Sequence, residues 1–333
     1  MNIVKPNAEL MKHDTDLYSF IEKVGRICYK SEDKITKGSA KKFVAQLVSN
    51  KHYAMTEHEY IYVHFSNYND IIQFISGYLV PDSHSYTIHK YLNISEEYIS
   101  GSVRAWIEFF DEVYKISKVF DIGKGIYEEI YEKLYKQYSD LFPIYDKYEN
   151  WDFFAKDKKD GGAIGEISIV SRQEFLNADL PSYVYFNLLP HTIKFTVDRG
   201  VSHELVRHRP ASFAQSSTRY CDYSKGKYGS ELSFIEPCFF ENVDEDTNWY
   251  KVCKTAEDAY LDMRDNKIPP EQARSILPNS LMTEIVVTAT EAEWQHIINL
   301  REHGTTGRPH PQMKEVMDIA YPILQTESWG RIK

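Results

Sequence analysis

Arginines, a histidine, hydroxyls and an amide crowd into one stretch, Arg199 to Tyr220, RGVSHELVRHRPASFAQSSTRY. Within it lie Arg207, His208, Arg209 and Arg219, followed or interleaved by Ser212, Gln215, Ser216, Ser217 and Thr218. Guanidinium groups present rigid forks that match phosphate oxygens, and hydroxyls and amides add directional hydrogen bonds. Leu205 and Val206 supply apolar anchors for a helix, and Pro210 stops it by disfavouring the α region at the residue before. The arginines therefore sit at a helix end, and the polar run continues as a loop or extended segment, where functional side chains concentrate. Any one of these residues fits a charged helix end and a polar turn. The whole set fits an anion-binding, catalytic surface.

Other spacings give weaker signals. His203-Glu204 followed by His208 imitates a zinc-protease motif, but that chemistry needs histidines four apart. A five-residue interval turns them about 140° from each other on a helix, so no metal is expected here. His296, His303 and His310 recur every seven residues, but the second interval crosses a Gly/Pro loop, which argues against a zinc site. Arg301 stands out more. Trp294, Ile297 and Ile298 form an apolar helix face, and Arg301 continues it seven residues after Trp294. A charge on such a face is either paired, placed at a site, or snorkelling from a helix end.

The chain of 333 residues is 42% hydrophobic, enough to bury a sizeable core. Its net charge of -10 argues against a general nucleic-acid or anionic-membrane binder. Yet eight of the twelve arginines lie between Arg199 and Arg308, a local basic cluster suited to one small anionic ligand. The cysteines Cys28, Cys221, Cys238 and Cys253 form no C-x-x-C pair, which implies reduced thiols and a cytoplasmic setting. The first residues lack the apolar core of a signal peptide, and no apolar run approaches membrane-spanning length.

The elements that must position these residues follow from periodicity. A helix is expected from about Ala8 to Cys28, with Leu17, Phe20, Ile21, Val24 and Ile27 on one face. Another runs near Ser39 to Ser49, with Ser39 as N-cap. Tyr60, Tyr62 and His64 alternate with Ile61, Val63 and Phe65 in a strand whose entrance holds Glu57 and His58. Helices are expected at about Ser100 to Ile116 and Tyr127 to Tyr148, and KDKKDGGAIG reads as a loop. Glu166 to Val170 and His191 to Val197 read as strands, the second feeding the arginine-rich helix. Beyond it come a turn-rich CDYSKGKYGS, a strand in ELSFIEP, a helix over Thr247 to Arg264 and a short helix with Arg274. A β-rich Leu281 to Thr288, a helix over Glu291 to His303 and a last helix over Pro309 to Leu324 complete the chain.

Arg207-His208-Arg209, seven residues and then Ser217 resemble the RHR-x7-S signature of the flavin-dependent thymidylate synthases. Ser212, Gln215, Arg219 and Tyr220 fall where that family places them. The match is loose to about Phe65 and close over Thr192 to Trp329. The resemblance implies an α/β (α+β) fold, a central mixed sheet flanked by helices, in one domain over 1–333. Residues from about 69 to 163 then form a largely helical insertion. It implies a methyltransferase making dTMP from dUMP, with methylenetetrahydrofolate as carbon donor and NADPH reducing bound FAD. FAD would be held by His58, Arg207, His208, Arg209, Gln215 and His296. No G-x-G-x-x-G is present, so a Rossmann mode is not expected. dUMP would be held by Glu204, Arg207, Gln215, Ser216, Ser217, Thr218, Arg219, Arg274 and Arg301, with Arg301 catalytic through ionisation of the pyrimidine at N3. It implies a homotetramer with shared active sites. The chain departs from the family at Thr290, often Asn, at Glu204, where some members carry Gln, and at Gln215, where some carry Glu. Two other readings remain: a cysteine-dependent pyrimidine methyltransferase using Cys221, and a non-enzymatic nucleotide- or RNA-binding module using the arginines with Phe213, Tyr220 and Tyr223.

Overall fold

The computed structural model describes residues 1–76, 91–117, 124–142, 164–225 and 231–333. The expectations for the KDKKDGGAIG loop up to 163, for the helix beyond 142 and for 226–230 lie outside the described residues. In chain order the elements are β1 (Asn2–Val4), β2 (Asn7–Leu10), α1 (Leu17–Tyr29), α2 (Ser39–Ser49), β3 (Tyr60–Phe65) and α3 (Tyr68–Ser76). There follow β4 (Leu92–Ser95), β5 (Tyr98–Ser102), α4 (Val103–Ser117), α5 (Lys124–Tyr138), β6 (Ile167–Val170), α6 (Arg172–Asn177) and α7 (Ser182–Leu188). The remainder is β7 (Pro190–Asp198), α8 (Arg199–Leu205), β8 (Ser212–Gln215), β9 (Ser233–Ile235), α9 (Asn248–Asp265), α10 (Pro270–Ala273), β10 (Met282–Thr290), α11 (Glu291–Arg301) and α12 (Pro311–Glu327).

This is the mixed α/β class expected from sequence, and the described strands fall in three sheets, ordered β1-β9, β2-β7-β10-β8 and β4-β5-β3-β6. The described chain forms two compact units: Met1–Asp16, Glu22–Thr36 and His191–Lys333 make one, Leu17–Ile21 and Lys37–Pro190 the other.

In the second unit β3 pairs antiparallel with β5 and β6. Ile61, Val63 and Phe65 point into a core with Phe74, Trp106, Phe109, Phe110 and Ile130. The alternation of β3 suggests a half-exposed strand, but Tyr62 is also buried, because Phe175, Val184 and Leu188 cover its other face. Ser100–Ser102, expected to open a helix, belong instead to β5, and the helix starts at Val103. The hairpin β4–β5 turns at Glu96, whose φ of +50° is a left-handed conformation without the usual Gly or Asn signal. α2 has its expected bounds, but Gly38, not Ser39, is the N-cap: its φ of +84° takes the chain into the helix at a left-handed residue.

In the first unit the helix expected from Ala8 begins only at Leu17. Residues 7–10 pair antiparallel with β7 instead, Ala8 opposite Phe195 and Leu10 opposite Ile193. Ile193, Phe195 and Val197 of β7 and Ile285 and Val287 of β10 bury one face against Trp294, Ile297 and Ile298 of α11 and Met313, Val316 and Met317 of α12. Full burial of side chains of this size stabilises by roughly 1.5–3 kcal/mol each, which fixes α11 and its last residue, Arg301, against the sheet. α9 covers a smaller core of Leu232, Phe234, Tyr260 and Leu281.

Candidate functional site

Two turns of α8 carry the chain from the core sheet to the arginine-rich motif. Asp198 is its N-cap, accepting from Val201 N at 2.6 Å through Oδ1, while Gln312 Nε2 donates to Oδ2 at 2.6 Å. Burial raises the Asp198 pKa, and these hydrogen bonds pull against that rise. The helix closes at Val206, whose N–H reaches Ser202 O, and His208 N donates to Leu205 O at 3.1 Å. The motif therefore lies just past the helix, as the position of Pro210 requires. Arg209 folds back over this end: its Nη1 donates to Val206 O at 2.7 Å and His208 O at 2.8 Å. A positive charge is favoured at that negative end of the helix dipole.

The apolar face of α11 ends in a polar junction. Arg301 Nη1 donates to Glu204 Oε2 at 2.6 Å, its Nη2 to Glu204 O at 3.4 Å, and its Nε to His208 Nε2 at 3.0 Å. All three guanidinium nitrogens are thus engaged, and the charge on the apolar face is paired. His208 is buried, and its ring meets that of His296 at 5.9 Å. Burial, then Arg301 and His296, pulls the His208 pKa down to about 4. The ring is neutral at neutral pH, accepts at Nε2 and so carries its proton on Nδ1.

Glu293, one turn before His296, is buried, and its Oε1 finds no hydrogen-bond partner among the described residues. Burial raises its pKa to about 7. Ligand atoms of His208, Glu293 and His296 lie within 4.8 Å of one another, a set of residue types able to hold a metal. Arg301 opposes a cation there, since its charge points at His208 and its Nε already occupies Nε2.

A second cluster forms where β8 pairs antiparallel with β10, Gln215 opposite Ile285. Gln215 Nε2 donates to Ser202 Oγ at 2.9 Å and Thr283 Oγ1 at 3.2 Å. Ser216 Oγ shares a 3.0 Å hydrogen bond with Thr283 Oγ1 and accepts from Glu284 N. Ser217 anchors the following turn: its carbonyl accepts from Cys221 N at 2.9 Å and its Oγ from Arg219 N at 3.2 Å. Buried Thr218 accepts from Arg274 Nη1 at 3.2 Å, and Arg219 lies exposed, 5.6 Å over the Tyr220 ring. Arg199 Nη2 donates to Ser216 O at 3.1 Å.

Of the residues nominated from sequence, Glu204, His208, His296 and Arg301 meet at the end of α8. Gln215 and Ser216 meet on β8–β10, and Thr218 meets Arg274 beside them. Arg207 is exposed and forms no ion pair among the described residues. His58 belongs to the other unit, where it closes a 3-10 turn, Tyr53–His58, just before β3 and is fully buried. Thr290 stands at the N-cap of α11 without a side-chain capping bond. Sequence reasoning gave no role to Arg199, Thr283 or Glu293. Only Glu293 had a usable signal, its three-residue spacing to His296 on one helix face.

Comparison with known proteins adds to this geometry. Residues 182–327 match the family model Thy1, described as thymidylate synthase complementing protein. A flavin-dependent thymidylate synthase of Saccharolobus solfataricus is 32% identical over 157 residues, which is 46% of this chain and 55% of that protein. One from Geobacter sulfurreducens is 34% identical over 106 residues, 32% of this chain and 44% of that protein. One from Pyrococcus furiosus is 32% identical over 127 residues, 36% and 50% of the two chains. The chain spans about half the length of these curated relatives. A solved structure of the UMP/dUMP methylase PolB from Streptomyces cacaoi aligns over 98% of this chain and 93% of its own. Its identity is 13% and its TM-score 0.38, too low to bear on the argument.

Proposed function

We propose that this chain, whose residues 182–327 match the family model described as thymidylate synthase complementing protein, is a flavin-dependent thymidylate synthase. It converts dUMP to dTMP with methylenetetrahydrofolate and NADPH. The observation that carries this is the junction of Arg301 with Glu204 and His208, residues 97 and 93 positions away. These are the residues that the family resemblance puts at pyrimidine and flavin. A guanidinium held on three sides is preorganised, and preorganised charge aimed at a developing anion is a strong catalytic term. Arg301 stabilises the pyrimidine ionised at N3. Glu204 orients it, and neutral His208 accepts from it without adding positive charge.

The residues fit FAD. Arg207 and His296 are exposed with their N–H groups unspent on carboxylates among the described residues, a donor set suited to a pyrophosphate and to ring carbonyls. Arg209 and Gln215 complete the flavin set; His58, fully buried in the other unit, is nominated for it by the family resemblance alone. When bound and reduced by NADPH, FAD supplies the hydride. Ser216, Ser217, Thr218, Arg219 and Arg274 hold the nucleotide. The chain acts as one domain with an insertion over about 69–163, in the cytoplasm, as a homotetramer with shared sites and with no nucleic-acid partner. No helix among the described residues is long and apolar enough to cross a membrane.

The cysteine-dependent reading is disfavoured by the thiols themselves. Burial pushes Cys28 up to about 12 and raises Cys253, and Cys221 is 1% exposed. Purification tests the proposal: the protein should be yellow and release FAD on denaturation. A colourless protein that cannot be reconstituted with FAD rejects it.

A further inference from the structure

Glu293 stands on α11 roughly two turns before Arg301, and only 8% of it is exposed. Its Oε1 is shut away from solvent and meets no hydrogen-bond partner among the described residues. One oxygen of its carboxyl, a nitrogen of His208 and a nitrogen of His296 lie within 4.8 Å of one another. The neighbouring carboxylates are committed elsewhere. Glu204, at the end of α8, accepts from Arg301 Nη1 at 2.6 Å. Glu291, two residues earlier on α11, holds Arg331 through both oxygens and His191 Nε2 at 2.8 Å. His296, on the same helix, is exposed.

A buried carboxylate without a counter-charge or a donor is costly. Burial alone accordingly moves Glu293 up to about 7, so it gains and loses its proton near neutral pH. Packing gives no reason for a carboxyl here, since α11 buries Trp294, Ile297 and Ile298 without that cost. The Arg301 junction does give one. A pyrimidine ionised at N3 has lost a proton, and that proton needs a place. Arg301 already carries its own. His208 spends Nε2 on Arg301 Nε, and burial, Arg301 and His296 hold it to about 4, so it does not keep a further proton at neutral pH. A proton on Glu204 would break the ion pair that orients Arg301. Moving the proton from ring to Glu293 leaves the local sum of charges unchanged, because one ring anion appears as one carboxylate disappears. That matters where the dielectric is low.

We propose that Glu293 receives the N3 proton of a pyrimidine bound at the Arg301 junction, acting through the imidazoles of His208 and His296. The N3–H bond breaks, its electron pair stays on the ring, and a carboxylate oxygen of Glu293 gains the proton. Glu293 acts at one remove from the ring and is a positioning residue for that proton. The proposal deepens the thymidylate reading and rests on it for one point, that a pyrimidine ionises beside Arg301.

The test counts protons. dUMP labelled with ¹⁵N at N3 is bound to the full-length, FAD-loaded protein, and calorimetry in buffers of different ionisation enthalpy gives the protons released. At pH 8 Glu293 is mostly ionised, so wild type should release almost none while the ¹⁵N signal shows N3 ionised. Glu293→Gln should release about one more proton per site at pH 8 than wild type, and the same number at pH 6, where Glu293 is already protonated. The phosphate of dUMP contributes equally to both proteins and cancels. The wild-type kcat/KM should rise with pH through about 7, a step that Glu293→Asp keeps and Glu293→Gln loses. Equal proton counts at pH 8 with N3 ionised in both proteins overturn the proposal and leave the thymidylate reading standing. Failure to bind dUMP, or N3 protonated throughout, removes that reading and the proposal with it. If the variants do not fold, difference infrared spectra of wild type decide. Binding of dUMP at pH 8 should convert a carboxylate band into a protonated carboxyl band, and the absence of that conversion overturns the proposal.

Discussion

Replacing Arg301 perturbs three contacts at once, and the structure says how much each variant should lose. Under the proposed function, Arg301→Ala removes the charge that would face the pyrimidine. Loss of one such preorganised donor costs about 2.7–4 kcal/mol, or roughly 10²–10³ in kcat. It also strips buried His208 of its donor at Nε2, a loss of roughly 1–3 kcal/mol in stability. Glu204, with 38% of its side chain exposed, rehydrates and adds little. The variant should therefore remain a folded flavoprotein without useful turnover. Arg301→Lys restores the charge, but one ammonium cannot serve both His208 and the two oxygens of Glu204. Losing two of three hydrogen bonds at about 0.5–1.5 kcal/mol each leaves kcat/KM roughly 5- to 150-fold below wild type. The assay is dTMP formation from dUMP, methylenetetrahydrofolate, NADPH and FAD, with the flavin absorbance of each variant as control for folding. Wild-type turnover by Arg301→Ala, or full rescue by lysine, would refute the assignment.

Other outcomes follow from the same geometry. Cys221→Ser should keep most of its activity in that assay, because the proposed mechanism needs no thiolate; a dead variant that is folded and flavin-loaded would restore the cysteine reading. Light scattering should show a homotetramer that loses FAD on dissociation, and a monomer binding FAD tightly would contradict shared sites. Glu293 has a folded pKa of about 7, above the ordinary 4.5, so the stability linked to it is present below pH 4.5 and lost as pH rises through 7. Glu293→Gln should then gain roughly 1–3 kcal/mol over wild type at pH 8 and almost nothing at pH 4, read by denaturant melts. His208 has the opposite sign: its pKa of about 4 lies below the ordinary 6.5, so its linked stability is present above pH 6.5 and is lost as pH falls through 4. A His208→Gln variant should lose part of the wild-type acid sensitivity between those values, and identical acid profiles would rule that out.

What the sequence made legible was local. The arginine motif, Pro210 and Ser217 are contiguous, so their chemistry shows in one line of text, and α11 and α12 appear through the spacing of Trp294, Ile297, Met313 and Met317. What it hid depends on distant partners. Residues 7–10 look helical beside α1 until Phe195 and Ile193 draw them into a sheet. The β4–β5 hairpin turns at Glu96, a residue with no turn signature, so Ser100 to Ser102 merge by eye into the helix that follows. Tyr62 reads as the exposed half of an alternating strand because nothing local announces that Phe175 will cover it, 4.5 Å away. At the site, the spacing of Arg301 from Trp294 left it paired, placed at a site or snorkelling, and did not point to Glu204 and His208 as its partners. Arg199 was equally invisible, since its hydrogen bond to Ser216 O is a property of the folded neighbourhood.

The central claim is most directly tested by following the flavin itself. Purified protein, loaded with FAD and reduced anaerobically with NADPH, is mixed with dUMP and methylenetetrahydrofolate while flavin absorbance and dTMP are recorded together. The account predicts that the reduced flavin reoxidises in step with dTMP formation, one for one, and that omitting dUMP stops both. A protein that takes up no FAD, or one that makes dTMP while its flavin stays reduced, would contradict it.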